Sequence, residues 1–432
     1  MAEIGVRTRI RRASVTAAAA ALTLGLAACI GGDESDSGKV TLEYWVYEST
    51  DPTSFSNTLV DTFEKEHPNI EIEQTQFPYQ SYDVKLQTAI AAGNVPDLVY
   101  TFNLDLMRRG QLLPLDDMVE KYNIDIANFN QAIIKGPGVY SCTWEGTLYC
   151  LGSTQGGWSV FYNKDMFDAA GIPYPKAWPP MTLEEFADTA CQLTDESKDV
   201  WGAAVPTDFL PRELSVSPDG KTVEGYIDSP ETIHNYEVLA SIFQNGCSPT
   251  SNVIDPWDQS ADFFERGAIA MAMADFDIAK AVEHAGINYG VTGPPTPVGV
   301  EPYFDVYSNN TGILASTEHQ KEAEEFLAFM ATEGQRIAWE TEGSTPISNK
   351  VAKSVNWAQG IPGREDALEV LSHARSGIFV PDTGSTWGPF YDAWGYILGG
   401  DKTVEEAIDD ATPALQENLD KAWRDWDEQA AD

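Results

Sequence analysis

The stretch Val40–Val46 reads VTLEYWV and opens the part of the chain that decides its fold. Apolar and polar residues alternate along it and most are good strand formers, so it predicts a first β-strand. Phe55, Leu59 and Phe63 then recur at helical spacing, which predicts an amphipathic helix with one buried face. A strand followed directly by a helix is the beginning of an α/β unit.

The same order continues downstream. Ile70–Gln76 alternates again and predicts a second strand, residues 82–92 predict a helix, and residues 96–100 predict a short buried strand. The apolar positions of that second helix are expected to be available for the core: Val84, Leu86, Ala89 and Ile90. This β-α-β-α-β order implies the α/β class, with a largely parallel sheet covered by helices.

Polar residues follow the first and third predicted strands. Tyr47 and Glu48 come directly after the first strand, and Thr101, Asn103 and Asp105 come after the third. In open parallel sheets, ligands bind beyond the carboxyl ends of the strands. These loops therefore predict the mouth of a ligand site.

Later helices are indicated by their capping residues. Thr182 and Thr403 each begin a capping-box pattern, and Ser229 stands before a proline at the first helical position. Residues 322–330 (EAEEFLAFM) are amphipathic, and a last helix is expected over about 413–426. The chain shows no internal repeat.

The amino terminus has the composition of a secretory signal. Residues 1–28 carry four arginines and one glutamate, followed by an Ala/Leu run too short for a good membrane span. The run ends Leu26-Ala27-Ala28-Cys29, which resembles a bacterial lipobox, so we expect residues 1–28 to be a lipoprotein signal peptide and Cys29 to be lipidated. The alternative is an ordinary signal peptide with Cys29 incidental. Residues 29–39 are polar and Gly/Ser-rich, which predicts a flexible tether.

Four cysteines remain after Cys29. Outside the cytoplasm disulfides persist, and four cysteines allow three pairings. We prefer Cys142–Cys150, because residues 143–147 between them predict a hairpin with a Gly turn, together with Cys191–Cys247. Four separate buried thiols are the alternative. No spacing resembles a CxxC zinc or redox motif, and no metal site is expected.

Composition narrows the class of partner. The 432 residues include 67 Asp and Glu against 27 Lys and Arg, a formal net charge of −40. This charge repels phosphate backbones and anionic membrane surfaces, so no nucleic acid is expected as a partner, and any membrane contact is through the lipid anchor only. Hydrophobic residues make up 43%, enough for a sizeable core, and the 12 Trp and 17 Tyr exceed what packing usually requires.

Several motifs, in order, resemble the extracellular solute-binding proteins (family 1) of carbohydrate ABC importers, a family that includes maltose/maltodextrin-binding protein. Besides the opening strand, the matching segments are 91–99 (AAGNVPDLV) with 112–115 (LLPL), 160–167 (VFYNKDMF) with 170–172 (AGI), 175–178 (PKAW) with 182–186, 270–273 (AMAM), and 287–292 (INYGVT) with 294–296 (PPT). Each motif is weak alone. Their order over most of the chain makes the resemblance specific.

The resemblance implies a periplasmic-binding-protein-like fold, with two α/β lobes joined by a hinge and a ligand cleft between them. By analogy, lobe one comprises 40–150 and 291–342, and lobe two comprises 151–290 and 343–432. It implies a monomeric binding protein, not an enzyme, that needs no cofactor. Such a protein captures a sugar or oligosaccharide by hinge closure and delivers it to the permease subunits of an ABC importer. With the lipobox, it would be anchored to the outer face of the cell membrane.

Sugar binding needs aromatic faces for C–H patches and polar groups for hydroxyls. Gln155 and Trp158 flank a Gly-Gly pair that permits close ligand approach. The family usually has a Gly-x-Trp turn where this chain has Asp275-Phe276-Asp277, so an aromatic platform there must come from Phe276 or be absent. The other candidates at family positions are Ser308 and Asn309 in the ligand loop, and Trp387 and Tyr391 in the late aromatic segment.

Two other functions remain open from the residues alone. A secreted glycoside hydrolase would also use carboxylates and aromatic side chains, and the abundant acids here cannot exclude a catalytic pair. A peptide-binding lipoprotein fits the motifs less well. The sequence has no GxSxG elbow, no P-loop and no HExxH, which argues against serine hydrolase, nucleotide and zinc hydrolase chemistry.

Overall fold

The computed structural model describes residues 39–46, 54–101, 104–136, 138, 141–206, 214–250, 253, 260–375, 377–381 and 386–429. The predicted signal peptide, Cys29 and nearly all of the tether lie outside these residues. Among the helices within them, none is long and apolar enough to cross a membrane.

The strands of the described residues are short and spread along the whole chain. In order they are β1 (Val40–Val46), β2 (Ile70–Gln76), β3 (Leu98–Tyr100), β4 (Thr143–Trp144), β5 (Thr147–Leu148), β6 (Gln155–Gly156), β7 (Trp158–Asn163), β8 (Trp201–Ala204), β9 (Ile269–Asp275), β10 (Tyr289–Thr292), β11 (Phe304–Asp305), β12 (Tyr307–Ser308), β13 (Thr311–Ile313) and β14 (Ala374–Arg375).

Helices separate most of these strands, as α/β order requires. They are α1 (Phe55–Glu66), α2 (Tyr79–Ala92), α3 (Leu104–Arg108), α4 (Asp116–Lys121), α5 (Gln131–Lys135), α6 (Lys164–Ala170), α7 (Leu183–Leu193), α8 (Pro230–Gln244), α9 (Ser260–Glu265), α10 (Ala279–His284), α11 (Gln320–Glu342), α12 (Asn349–Ser354), α13 (Pro362–Leu371), α14 (Gly388–Gly399) and α15 (Val404–Gln429).

The first sheet has the strand order β13-β3-β1-β2. Both β2 and β3 run parallel to β1, and β13 joins antiparallel at the edge beside β3. This confirms the parallel sheet predicted from the first hundred residues. Helix α1 covers it with Phe55, Leu59 and Phe63 buried, as their helical spacing predicted.

The second sheet has the order β10-β7-β9-β8. Strands β8 and β9 are parallel, whereas β7 runs antiparallel to both β9 and β10. Its helices begin with the predicted caps. Thr182 forms a full capping box, and the Ser229 side chain accepts from the backbone of Thr232 before Pro230.

The chain passes between the two sheets at three places. It leaves the first sheet through residues 151–157, returns before β13, and leaves again after α11, which packs on α1 and β13. At the crossings β6 pairs with β12, and isolated bridges join Leu151 to Thr311 and Thr154 to Pro346. Strand β10 pairs with β7, so residues 289–292 belong to the second sheet.

Two helix predictions need correction. Val84 in α2 is 70% exposed, because Tyr82 and Leu86, one turn apart, occupy the buried face and leave Val84 on the opposite side. The last helix, α15, begins at Val404 rather than near 413 and continues through Pro413. The capping box at Thr403 therefore starts the same helix.

The structure contains both expected disulfides. Cys142–Cys150 closes the β4–β5 hairpin, and Cys191–Cys247 joins α7 to the residues that follow α8. The number of cysteines alone allows three disulfide pairings, so the predicted hairpin between Cys142 and Cys150 was the informative signal.

Candidate functional site

The carboxyl end of the first sheet meets the returning chain before β13. The backbone N–H of Thr101 donates to the carbonyl of Asn310 at 2.8 Å, and Thr101 is buried. Beneath it, Tyr82 donates its hydroxyl to the Tyr100 carbonyl at 2.7 Å. Burial raises the pKa of Tyr82 well above its ordinary value, so this hydroxyl stays a neutral donor. Of the residues predicted at this mouth, Tyr47, Glu48 and Asn103 lie outside the described residues.

Trp158 and Asp275 lie side by side at one end of the second sheet. They are register partners at the start of β7 and the end of β9, so both residues lie at the same end of the two central strands. The Asp275 carboxylate accepts a hydrogen bond from the Gly157 backbone at 2.8 Å and another from the Tyr307 hydroxyl. This carboxylate therefore links the end of β9 to Gly157, which follows β6, and to Tyr307 in β12.

The Gly-Gly pair between Gln155 and Trp158 is required by close packing. A Cβ on Gly156 would lie 2.6 Å from the Asp275 Oδ2, and one on Gly157 would lie 2.5 Å from the Asp305 carbonyl oxygen. Both distances are shorter than real Cβ contacts, so only glycine fits without movement. The space beside these glycines is therefore filled by protein atoms, whereas the sequence pattern predicted close approach of a ligand.

Gln155 in β6 is buried and forms hydrogen bonds where the crossings meet. Its Oε1 accepts from Asn130 at 2.7 Å, and its Nε2 donates to the Pro346 carbonyl at 2.8 Å. Its backbone N–H donates to the Thr345 carbonyl at 2.9 Å. The Gln155 amide therefore joins the first crossing to the third and to Asn130 at the start of α5, and both its oxygen and its nitrogen already have protein partners.

The loop before β13 presents two further candidates beside Gln155. The Asn309 Oδ1 accepts from the backbones of Ser153 and Thr154 at 3.2 and 3.1 Å. Ser308 is buried, and within the described residues its hydroxyl has no hydrogen-bond partner. Both side chains therefore lie at the crossings, next to Gln155 on the paired strand β6.

The remaining candidates lie elsewhere. Phe276 is 1% exposed and packs against Phe161 and Phe304, so its ring belongs to the core in this structure and offers no platform. Asp105 forms ion pairs with Arg108 and Arg109. The side chain of Asp277 lies outside the described residues.

The late aromatic segment divides between core and surface. Trp387 is 9% exposed and packs edge-on against Phe390, whereas Tyr391 in the next turn is 48% exposed. Tyr391 is thus the accessible ring of this pair on α14.

Six of the predicted residues therefore lie at or beside the crossings: Thr101, Gln155, Trp158, Asp275, Ser308 and Asn309. Sequence reasoning missed Tyr307, whose hydroxyl fixes Asp275. The only signal was its place directly before Ser308 in the predicted ligand loop. No three His, Cys, Asp or Glu side chains converge as a metal site within the described part of the chain.

Comparison with known proteins identifies the family. The family described as bacterial extracellular solute-binding protein matches residues 48–337. The chain belongs to this family. Solute-binding proteins carry ligands without transforming them, so the chain is a binding protein and not an enzyme.

Relatives of this solute-binding protein match over much of its length. The galactooligosaccharide-binding protein of Bacillus subtilis is 23% identical over 426 residues, covering 93% of this chain and 96% of the relative. The melibiose/raffinose/stachyose-binding protein MelE of the same organism is 24% identical over 322 residues, covering 69% of this chain and 71% of the relative.

Solved structures share its fold. The substrate-binding protein Lmo0181 of Listeria monocytogenes, in complex with cycloalternan, has a TM-score of 0.73 at 22% identity and covers 88% of this chain and 99% of its own. The GacH receptor of Streptomyces glaucescens has a TM-score of 0.71 at 21% identity and covers 88% and 98%. The solute-binding protein therefore has the expected periplasmic-binding-protein-like fold with two α/β lobes.

Proposed function

We propose that this chain captures a neutral sugar or oligosaccharide between its two lobes and delivers it to an ABC importer. The observation that carries the proposal is the pairing of Trp158 with Asp275 at the edge of the second sheet that meets the crossings. An indole face can cover the C–H surface of a sugar ring, while a carboxylate oxygen accepts from hydroxyls. Two Bacillus subtilis relatives, a galactooligosaccharide-binding protein and a melibiose/raffinose/stachyose-binding protein, support this ligand class.

A neutral ligand fits the charges around the crossings. The Asp275 carboxylate accepts hydrogen bonds from two neutral donors, the Gly157 N–H and the Tyr307 hydroxyl. An anionic ligand would meet this carboxylate unfavourably. Neutral hydroxyls, in contrast, donate hydrogen bonds to a carboxylate without charge repulsion.

We extend the proposal to hinge closure. The lobes are joined by three crossings held together by Gln155 and Asn309, and the candidate ligand residues lie on these segments or next to them. A ligand that contacts both sheet edges would favour the arrangement in which they are close, because it gains contacts only there.

The test is a titration of the mature protein with a panel of neutral mono- and oligosaccharides. Binding is measured by calorimetry and by tryptophan fluorescence. We expect saturable binding with the sugar recovered intact, and a loss of affinity of at least about tenfold in Trp158→Ala and Asp275→Ala. Trp201→Ala is the matched control, because Trp201 pairs with Ile269 at the opposite end of the same sheet.

Each other outcome points to a different function. Release of reducing ends would identify a glycoside hydrolase and contradict the family assignment. A response to peptides but to no sugar would identify a peptide receptor. Equal losses in Trp158→Ala and Trp201→Ala would show that neither side chain reports on the ligand and would remove the proposed site.

We also propose that Cys29 carries the lipid anchor. The support is the order of basic residues, apolar run and small residues before this cysteine. The Cys29→Ala variant is expected to appear in the soluble fraction, whereas the parent protein sediments with membranes. If both sediment alike, Cys29 does not anchor the protein.

A further inference from the structure

Two hydrogen bonds hold the same oxygen of the Asp275 carboxylate. The Gly157 backbone N–H donates to Oδ2 at 2.8 Å, and the Tyr307 hydroxyl donates to the same Oδ2. The donors come from different segments, because Gly157 follows β6 in the first crossing and Tyr307 lies in β12 of the second. Rotation of the carboxyl group would break at least one of these bonds, so together they fix its orientation.

The glycine at position 156 makes room for the bond from Tyr307. Tyr307 and Gly156 are register partners in the antiparallel pair β12–β6. Side chains of directly opposed residues lie on the same face of such a pair, so a side chain at position 156 would stand next to Tyr307. The Asp275 carboxylate takes that place instead, since a Cβ on Gly156 would lie 2.6 Å from its Oδ2 and 2.9 Å from its Oδ1.

Tyr307 orients a carboxylate that belongs to another sheet. Asp275 ends β9 and its register partner Trp158 begins β7, both in the second sheet, whereas β12 pairs only with β6 among the described strands. An aspartate side chain has two rotatable bonds, and a ligand that must order them loses part of its binding free energy. The Tyr307 hydroxyl orders the carboxylate before a ligand arrives.

A fixed carboxylate selects ligands by their hydrogen-bond donors. An ionised carboxylate accepts hydrogen bonds and cannot donate them. A sugar ring stacked on Trp158 must therefore direct a hydroxyl at Asp275, and an analogue that lacks this hydroxyl leaves the carboxylate without that donor. A mobile carboxylate could turn to another donor or to water, so it would discriminate less between the two ligands.

We propose that Tyr307 is a positioning residue that sets the specificity of the ligand site. Its hydroxyl acts through Asp275, whose carboxylate it holds so that the site selects neutral ligands with a hydroxyl donor at this place. The inference rests on the proposed function, because it assigns a ligand contact to Asp275. The bond from Tyr307 to Asp275, in contrast, is a property of the ligand-free chain.

The first test compares a sugar that binds with its mono-deoxy analogues by calorimetry. In the parent protein we expect at least one analogue to bind about tenfold more weakly or worse, and Asp275→Ala to remove that penalty. Tyr307→Phe keeps the ring and removes only the hydroxyl, so it should reduce the penalty to about threefold or less. Because Tyr307 acts through Asp275, Tyr307→Phe should cause no further loss of affinity in the Asp275→Ala background.

Tyr44→Phe is the matched control. It also removes a tyrosine hydroxyl bonded to the returning chain, because Tyr44 in β1 shares a hydrogen bond of 3.0 Å with the Thr311 hydroxyl. Its deoxy penalty should stay within about twofold of that of the parent. Crystal structures of the ligand-free proteins complete the test: the Asp275 carboxylate should keep one orientation in the parent and turn, or take several orientations, in Tyr307→Phe.

Three results would overturn the inference. An equal deoxy penalty in the parent and in Tyr307→Phe would mean that this hydroxyl does not set the specificity. A further loss of affinity from Tyr307→Phe in the Asp275→Ala background would mean that Tyr307 contacts the ligand directly. An unchanged Asp275 orientation in the ligand-free variant would mean that the Tyr307 bond does not hold the carboxylate. If no neutral sugar binds to the parent, the proposed function fails, and the ligand-free structures still decide whether Tyr307 positions Asp275.

Discussion

Gly157 shows how tightly single residues are fixed at the crossings. Its N–H donates to Asp275, and the space that a side chain would need is filled by Phe304 and the Asp305 carbonyl. A methyl group would therefore have to displace both the buried Phe304 ring and the Asp305 backbone. The same displacement would move Asp275 relative to Trp158.

We predict that Gly157→Ala destabilises the protein by about 2 kcal/mol or more, because a rotamer change cannot relieve the clash with the Asp305 carbonyl oxygen. Gly395→Ala is the control. Gly395 lies exposed inside α14 with nothing within 4 Å of a built Cβ, so alanine should stabilise the helix by about 1 kcal/mol. Denaturant unfolding of both variants measures the difference, and equal effects would contradict the packing argument.

Elements with a strong local pattern were predictable. β1 and β2 have the bounds that their alternation indicated, and the face of α1 is the one given by Phe55, Leu59 and Phe63. Periodicity identifies such elements because the burial of one face dictates where apolar residues recur.

Elements whose limits depend on tertiary contacts were less predictable. A helix is expected to end before proline, yet α15 continues through Pro413, because its long apolar face packs in the second core with Ile408, Leu415 and Leu419 fully buried. Likewise, residues 79–81 extend α2 beyond its predicted start. Packing overrides local propensity in both helices.

The candidate site was predictable in position more than in detail. The loop after the third strand indicated Thr101, whereas Trp158 was indicated by its place before a motif of the resembling family; Thr101 follows β3 of the first sheet, and Trp158 begins β7 of the second. The burial of Phe276 was not visible, since an aromatic residue after a strand suits a cleft and a core equally well. The role of Tyr307 depends on a hydrogen bond across 32 positions of sequence, and no local pattern encodes such a contact.

The whole molecule depends on contacts between distant segments. The three crossings were expected from family resemblance, and the residues alone indicated only two α/β halves. β10 stays in the second sheet because it pairs with β7, more than a hundred residues earlier. Pairings of this range follow from the complete fold, so sequence could place the return only approximately.

A buried arginine joins segments of both lobes at the end of α11. Arg364 is 2% exposed and bonds Glu283 through two nitrogens, at 2.7 and 3.0 Å. It also donates to the carbonyl of Gly343, the C-cap of α11, at 3.3 Å, and its guanidinium lies over Trp339. Since α11 packs on the first sheet and α13 packs on β10, this cation fixes the third crossing.

Arg364→Met should therefore destabilise the whole molecule by about 3 kcal/mol, because it removes the cation from the partly buried Glu283 carboxylate, which keeps the neutral Tyr289 hydroxyl as a donor. Arg336→Met removes another arginine ion pair, to Glu340 at 2.7 Å, but one that is about half exposed, so its loss should cost less than about 1 kcal/mol. Denaturant unfolding of the two variants gives the comparison. If they lose equal stability, burial of the ion pair is not what makes Arg364 important, and the third crossing must be held by other contacts.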